Sequence, residues 1–245
     1  MQRSNTYIIL FAIGLTIVLG GALSLTSVGL KPLQDIQVEL DTKKKILGAV
    51  MDISNIEDPA EILKVYSERV KSVVVDYEGN EITTDARGNP YVAEKVNIQK
   101  NSKLDSKERA YPVFMFIENG EVEAYIFPTF GAGLWDWISS YVAFGKDLNT
   151  IKGIAFDHKS ETPGLGARIT EPGVQGRFAG KKVFDENNNL VSVKMVKGEG
   201  KTGLSDYEVD GLSGATMTTK GVNVMLMKYL ECYSAYIEKV KSQNS

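Results

Sequence analysis

The feature that most constrains this chain is an apolar segment near its start. Residues 7–28 are almost free of charged and amide side chains, and about 20 such residues in a helix span the roughly 30 Å hydrocarbon core of a bilayer. A cleaved signal peptide is the alternative, but its apolar region is usually about 7–15 residues long and is followed by a small-residue cleavage site. The segment is longer and lacks that site, so it predicts a transmembrane anchor within residues 1–30.

Composition bounds what the rest of the chain does. The 245 residues are 43% hydrophobic and 24% charged, with a formal net charge of −3, which is typical of a globular protein of one or two domains. Lysine and arginine are scattered, whereas a nucleic-acid-binding protein clusters them. Cys232 and His158 are the single cysteine and histidine, too few for a cysteine–histidine metal site. We therefore expect no nucleic-acid partner and no metal.

Local patterns predict an α+β fold in which an antiparallel sheet packs against helices. Asp58-Pro59 is typical of a helix start, Lys31-Pro32 is expected to break the first helix, and residues 222–240 have the apolar spacing of a long amphipathic helix. The glycine-rich segments at 131–137 and 161–166 do not have the Gly-x-Gly-x-x-Gly spacing of a dinucleotide motif, which argues against a Rossmann fold. Strands are predicted at 73–75, 113–117 and 121–127 around Asn119-Gly120, 151–156, and in a hairpin of 182–184 with 190–196.

Small and hydroxylated residues precede the last predicted helix. The sequence of residues 210–219 is Asp-Gly-Leu-Ser-Gly-Ala-Thr-Met-Thr-Thr, and the helix is expected to begin between Thr216 and Thr219. Free backbone N–H groups and the positive end of the helix dipole converge at such a point, which favours a phosphate group. The alternative is that these hydroxyls only cap the helix.

Two other glycine-rich segments accompany this one. Residues 131–137 read Gly-Ala-Gly-Leu-Trp-Asp-Trp, and residues 161–166 read Glu-Thr-Pro-Gly-Leu-Gly. Their glycines allow backbone to approach a ligand closely, and the tryptophans suit either a buried corner or a flat aromatic ligand.

Together the three segments resemble the signatures of the FMN-binding domains of respiratory ion pumps. In Asp-x-x-Ser-Gly-Ala-Thr, the resemblance makes Thr216 the residue to which a flavin transferase attaches FMN through its phosphate. It places Thr162 and Leu165 nearest the isoalloxazine ring, and implies that Asp210 serves recognition by the transferase. The expected cofactor-binding residues are Asp210, Ser213, Gly214, Ala215, Thr216, Thr218, Thr219, Leu134, Trp135, Glu161, Thr162, Gly164, Leu165 and Gly166. No catalytic acid or base is expected.

The whole chain is similar to the NqrC family, which supplies one of the subunits of Na⁺-translocating NADH:quinone oxidoreductases. The stretches Leu-Lys-Pro-Leu-Gln at 30–34 and Leu-Asp-x-Lys-Lys-x-Ile-Leu at 40–47 favour this family over the RnfG subunits of Rnf-type ferredoxin:NAD⁺ oxidoreductases. The resemblance implies an electron-relaying protein beside other redox subunits, anchored in the inner membrane with its soluble part in the periplasm. A non-redox interaction module remains the alternative. The expected division is an anchor at 1–30, an extension at 31–110 and a covalent FMN-binding domain at 111–245.

Overall fold

A computed structural model describes residues 4–243, so residues 1–3 of the predicted anchor segment lie outside the described residues. The chain divides into two compact units between Asp41 and Thr42. The predicted α+β class is confirmed by an antiparallel sheet accompanied by helices. The helices are α1 Asn5–Gly48, α2 Pro59–Arg69, α3 Ile98–Asn101, α4 Pro172–Gln175 and α5 Thr216–Gln243, and the strands are β1 Val70–Val75, β2 Tyr111–Glu118, β3 Glu121–Ala132, β4 Trp137–Phe144, β5 Ile151–His158, β6 Lys194–Val196 and β7 Glu208–Asp210.

Helix α1 contains the apolar segment. It is the one described helix long and apolar enough to cross a membrane, with a mean hydropathy of 2.5 over its most apolar window and none of that window buried. The predicted break at Lys31-Pro32 is wrong, because Pro32 lies inside the continuous helix. A proline removes one backbone N–H donor and crowds the carbonyl four residues before it, yet helical turns continue on both sides of Pro32 in the 44-residue helix.

The main sheet is an antiparallel meander in the order β1-β2-β3-β4-β5. Strand β1 pairs along its whole length with β2, with Val70 opposite Phe116 and Val75 opposite Tyr111. The predicted turn between β2 and β3 is confirmed, since Asn119 has φ of 53° and Gly120 has φ of 85°. Positive φ at both central residues is what a type I′ turn requires.

The predicted hairpin of residues 182–196 is mostly replaced by another pairing. A short part of it remains in the bridge between Phe184 and Leu190 and in hydrogen bonds from the N–H groups of Val191 and Ser192 to the carbonyl of Val183, whereas β6 pairs in parallel with β7. The side-chain oxygen Oδ1 of Asn149 accepts the backbone N–H groups of Val183 at 3.1 Å and Phe184 at 2.8 Å. The amide side chain of Asn149 therefore holds this segment from outside the hairpin.

Helix α5 covers the sheet and completes the core. Its predicted apolar stripe is buried in full, at Val222, Met225, Leu226, Tyr229, Leu230, Tyr233, Ile237 and Val240. The ring of Tyr233 lies 4.6 Å from that of Phe127 on β3, and its hydroxyl donates to the carbonyl of Pro112 at 2.9 Å.

Glycines let α5 approach β3 closely on both sides of the contact. A Cβ at Gly131 would lie 2.7 Å from Cβ of Met225, and one at Gly221 would overlap the carbonyl oxygen of Ala132. The first turns of α5 are therefore held directly against the end of β3, where the glycine-rich segments begin.

Candidate flavin site

The three glycine-rich segments meet at one end of the sheet, and we call this region the three-loop site: residues 133–136, 159–166 and 210–219. The first segment joins β3 to β4, the second follows β5, and the third leads into α5. Ala132 pairs with Trp137, and Ile138 pairs with His158. The segment after β3 and the segment after β5 therefore leave the sheet at the same end of its strands.

The carboxylate of Glu161 joins the three segments. Its Oε1 accepts the backbone N–H groups of Leu134 at 2.7 Å and Trp135 at 3.1 Å. Its Oε2 accepts the hydroxyl of Thr218 on α5 at 2.6 Å. Glu161 is 4% exposed, so these neutral donors replace the water that an exposed carboxylate would bind.

Two glycines make room for this carboxylate. A Cβ at Gly133 would overlap Oε1 of Glu161, and a Cβ at Gly166 would overlap both Oε2 and the hydroxyl oxygen of Thr218. We call a carboxylate that holds these segments a clamp, here that of Glu161 with its three donors. Its close packing requires glycine at positions 133 and 166, whereas Gly164 supplies a turn with φ of 74°.

The outer side of the three-loop site is apolar and open. The side chains of Leu134, Trp135, Leu165 and Met217 are exposed, Trp135 to 69%. The indole Nε1 of Trp135 donates to the hydroxyl of Thr162 at 3.0 Å, which fixes the ring. Leu165 packs on Gly214, where a Cβ would lie 2.8 Å from Cδ2 of Leu165. An exposed surface of this composition suits a planar aromatic ligand.

Charged side chains hold the segment before α5 in place. Arg177 donates to the carbonyl of Gly211 at 2.7 Å and to the carboxylate of Glu199 at 3.0 Å. Arg168 binds both oxygens of Glu199 at 3.0 and 3.1 Å, and the N–H of Ser213 points to the same carboxylate at 3.4 Å. Hydrogen bonds from the two arginines hold the pKa of the Glu199 carboxyl at about 2, so it stays ionised.

The hydroxyls of the third segment lie in different surroundings. Thr218 and Thr219 are buried, to 1% and 6% exposure, whereas Ser213 and Thr216 are exposed. Thr216 is the first residue of α5 and lines a cavity of about 180 Å³ together with Lys197, Lys220 and Thr219. The hydroxyl of Thr219 is buried without a hydrogen-bond partner among the described residues.

The remaining predicted residues support the backbone. Asp210 accepts the N–H groups of Gly200 at 2.8 Å and Lys201 at 2.9 Å, which orders the preceding loop. Gly214 has φ of 78°, a conformation that glycine adopts without strain. Ala215 is buried. The structure thus brings together five predicted residues: Leu134, Trp135, Glu161, Gly166 and Thr218. Asp210 instead contacts the preceding loop at Gly200 and Lys201.

Sequence reasoning missed Arg168, Arg177 and Glu199. The bonds from the two arginines to Glu199 and Gly211 span 22 to 34 residues along the chain, and each residue alone resembles an ordinary solvated charge. Lys220 was also missed, although its place one turn after Thr216 on a predicted helix would have put it near that residue.

Comparisons with known proteins agree with this geometry. Residues 133–231 match the family model of the FMN-binding domain. The chain is 33% identical to the NqrC protein of the Na⁺-translocating NADH-quinone reductase of Neisseria meningitidis serogroup B, over 98% of this chain and 95% of that protein. It is 32% identical to the same protein of Vibrio vulnificus, over 86% of this chain and 84% of that protein.

A solved structure shows the same fold. The crystal structure of the NqrC protein from Parabacteroides distasonis superposes with a TM-score of 0.71 at 33% sequence identity, covering 85% of this chain and 96% of that chain. With the full-length relatives and the matched flavin domain, it shows that the chain belongs to the NqrC family of Na⁺-translocating NADH-quinone reductases.

Proposed function

We propose that this chain carries FMN on Thr216 and relays electrons within a Na⁺-translocating NADH-quinone reductase. The observation that carries the attachment site is the contrast among the hydroxyls: Thr218 and Thr219 are buried, and Thr216 is exposed at the start of α5. Ser213 is the other exposed hydroxyl residue of the segment, but its backbone lies against the carboxylate of Glu199. Thr216 stands at the start of α5, where the positive end of the helix dipole favours a phosphate, whereas Ser213 lies three residues before it.

The surroundings of Thr216 fit a phosphate group. Lys197 and Lys220 line the cavity beside it, and their charges would offset that of a phosphoester. The buried hydroxyl of Thr219, in the same cavity, has no hydrogen-bond partner among the described residues, so it could bind a phosphate oxygen. In the attachment step the oxygen of Thr216 attacks the phosphorus of an FMN phosphoanhydride. The new O–P bond replaces the anhydride P–O bond, the phosphate-bearing leaving group takes that electron pair, and the hydroxyl proton passes to solvent. A flavin transferase would carry out this step.

The three-loop site also fits the ring. Trp135, Leu165 and Met217 give an exposed apolar surface next to Thr216, and the protein binds and orients the ring there while Glu161 holds the surface rigid. When bound, the isoalloxazine of FMN supplies the electron-transfer chemistry. The remaining expected cofactor residues, from Asp210 to Thr219 and from Glu161 to Gly166, shape the backbone around it.

The attachment is tested with protein co-expressed with its flavin transferase and separated on a denaturing gel. Wild type is expected to give a fluorescent band under ultraviolet light, and Thr216→Ala is expected to give none. Ser213→Ala is the matched control, because it removes the other exposed hydroxyl and should stay fluorescent. A fluorescent Thr216→Ala band, or a dark band from fully processed wild type, refutes the attachment at Thr216.

We further propose that α1 anchors the chain in the inner membrane, with the flavin-binding part in the periplasm beside other subunits of the complex. In this arrangement residues 1–30 are the anchor, 31–110 the extension and 111–245 the flavin-binding domain. The relatives are named as subunits of such a reductase, which favours an NqrC role over that of an RnfG protein. Alkaline phosphatase fused after residue 245 should be active, and an inactive but intact fusion would place the domain in the cytoplasm.

A further inference from the structure

A groove of about 740 Å³ runs from the three-loop site along α5. Its near end contains Leu134, Trp135 and Met217, which belong to the proposed flavin site, and its far end contains Arg109 and Tyr229. Met217 and Tyr229 are twelve residues apart on α5, or about 18 Å at the helical rise per residue. The far end is therefore a separate region, and its chemistry does not depend on attachment at Thr216.

Arg109 is a buried cation without a counterion. It is 6% exposed, and its guanidinium donates to the carbonyls of Leu104 at 2.9 Å and Ser102 at 2.9 Å. Within residues 4–243, no carboxylate forms an ion pair with it, and its Nη1 lacks any hydrogen-bond partner. A buried charge without an opposite charge is unfavourable, and a nearby anion would relieve it.

The hydroxyl of Tyr229 is a second unsatisfied group at the same end. It is buried, the residue being 2% exposed, and it finds no partner in the part of the chain that the structure describes. Burial raises the pKa of Tyr229 to about 12, and the charge of Arg109 acts in the opposite direction. The hydroxyl is therefore neutral at physiological pH and able to donate a hydrogen bond.

The rest of the groove favours an aromatic anion. The exposed lysines Lys103, Lys220 and Lys228 line it, and its one carboxylate, Asp136, is paired with Lys159 at 2.9 Å. Phe130 and Trp137 supply aromatic walls, with ring centroids 5.9 Å apart. The volume is that of a typical small-molecule site.

We infer that this groove binds a small aromatic molecule bearing a carboxylate, sulfonate or phosphate, with the anionic group directed to the end formed by Arg109, Tyr229, Lys103 and Lys228. The aromatic body packs between α5 and the walls formed by Phe130 and Trp137. This would be a second ligand site beside the flavin, with charge neutralisation as its main source of affinity.

The chain offers a local reporter, because its two tryptophans, Trp135 and Trp137, both line the groove. The full, flavin-loaded chain in detergent is titrated with 6-nitro-2-naphthoate, an aromatic quencher, and with the neutral 6-nitro-2-naphthamide. Saturable quenching of tryptophan emission is expected for the carboxylate, at least about tenfold tighter than for the amide, as expected for one charge-assisted interaction. Equal affinities, or the absence of saturation, overturn the proposal.

Variants test whether the far end of the groove binds the carboxylate. Tyr229→Phe removes an oxygen that has no partner to lose, so the fold is retained, and it should weaken binding of the carboxylate by about threefold or more. Lys103→Ala with Lys228→Ala should weaken it further, whereas Lys64→Ala on α2, an exposed lysine outside the groove, should not. Unchanged affinity in all the groove variants contradicts the inference.

Thr216→Ala distinguishes this site from the flavin site. If the groove is separate, the carboxylate binds the flavin-loaded wild type and the flavin-free variant with affinities within about twofold. Binding only to the flavin-free variant would show that the groove is where the flavin itself lies, and would overturn the inference while leaving flavin attachment intact.

Discussion

Two carboxylates hold the three-loop site, and they do so by different means. Glu161 is buried and accepts hydrogen bonds from two backbone N–H groups and one hydroxyl. Glu199 is partly exposed and binds two arginines. The first joins the sheet-borne loops to α5, and the second supports the backbone that leads to Thr216.

The difference shows how each clamp can fail. Removing the Glu161 side chain leaves the buried hydroxyl of Thr218 and two partly buried backbone N–H groups without their acceptor, which is costly. Removing the charge of Glu199 leaves two arginines that water can still solvate, so the loss is smaller and depends on pH and salt. We therefore expect Glu161 to determine whether the site forms and Glu199 to adjust it.

The largest effect is expected for Glu161→Ala. The N–H groups of Leu134 and Trp135 and the hydroxyl of Thr218 lose their acceptor, so the free energy of unfolding should fall by about 3 kcal/mol. Urea unfolding followed by tryptophan fluorescence measures it. Glu78→Ala, at an exposed position, is the control and should stay within about 0.5 kcal/mol of wild type. A loss below about 1 kcal/mol for Glu161→Ala would mean that water replaces the carboxylate.

A smaller effect is expected for Gly166→Ala, which attacks the same clamp sterically. The new Cβ would overlap both Glu161 and Thr218, and overpacking of this kind typically lowers stability by about 1–3 kcal/mol. Gly173→Ala is the matched control, because no atom lies within 4 Å of its new Cβ. Equal unfolding midpoints for the two variants would show that the clamp adapts to the methyl group.

Glu199→Gln tests the second clamp through pH. Because the arginines lower the pKa of Glu199 from 4.5 to about 2, its contribution to stability is fully present above pH 4.5 and is lost as pH falls through about 2. The unfolding midpoint of the variant should lie below that of wild type at pH 7, and the gap should narrow below pH 4.5. A gap of constant size across this range would show that the carboxylate contributes by packing rather than by charge.

The smallest effect is expected for Thr162→Val, which removes the acceptor of the Trp135 indole on the open side of the site. The bond is exposed, so the stability change should stay below about 1 kcal/mol. In a Trp137→Phe background, the fluorescence anisotropy of Trp135 should fall because the ring is freed. Thr162→Ser keeps the hydroxyl and should keep the anisotropy. Unchanged anisotropy in Thr162→Val would show that this hydrogen bond does not hold the Trp135 ring.

Sequence reasoning succeeded where the determinants are local. The side chain of Asp58 accepts the N–H of Ala60 at 2.9 Å at the start of α2, as the Asp-Pro pair predicts. The turn at Asn119-Gly120 and the buried stripe of α5 also follow from residues that are near neighbours in the chain. The glycine-rich segments themselves were found, because glycines in series are rare outside shaped loops.

Sequence reasoning failed where the structure depends on residues that are far apart in the chain. The predicted hairpin at 182–196 is shortened because β6 pairs with β7, and Pro32 lies inside a long helix. Glu161 was predicted as a cofactor residue by resemblance, yet its three partners could not be read from spacing, because two lie 26 and 27 residues before it and one lies 57 residues after it. Register between loops depends on the assembled sheet, and the sheet depends on non-local packing.

The order of the main sheet and α5 along the chain has a consequence for folding during synthesis. The five strands of the main sheet are complete at His158, whereas the helix that covers them begins only at Thr216. During translation the sheet emerges first, with its aromatic face and the carboxylate of Glu161 still without their partner. The thiol of Cys232 and the ring of Tyr233 reach their buried positions only after α5 has been synthesised. A chain that stopped before Thr216 would therefore leave the aromatic face of the sheet uncovered, as a surface that favours aggregation.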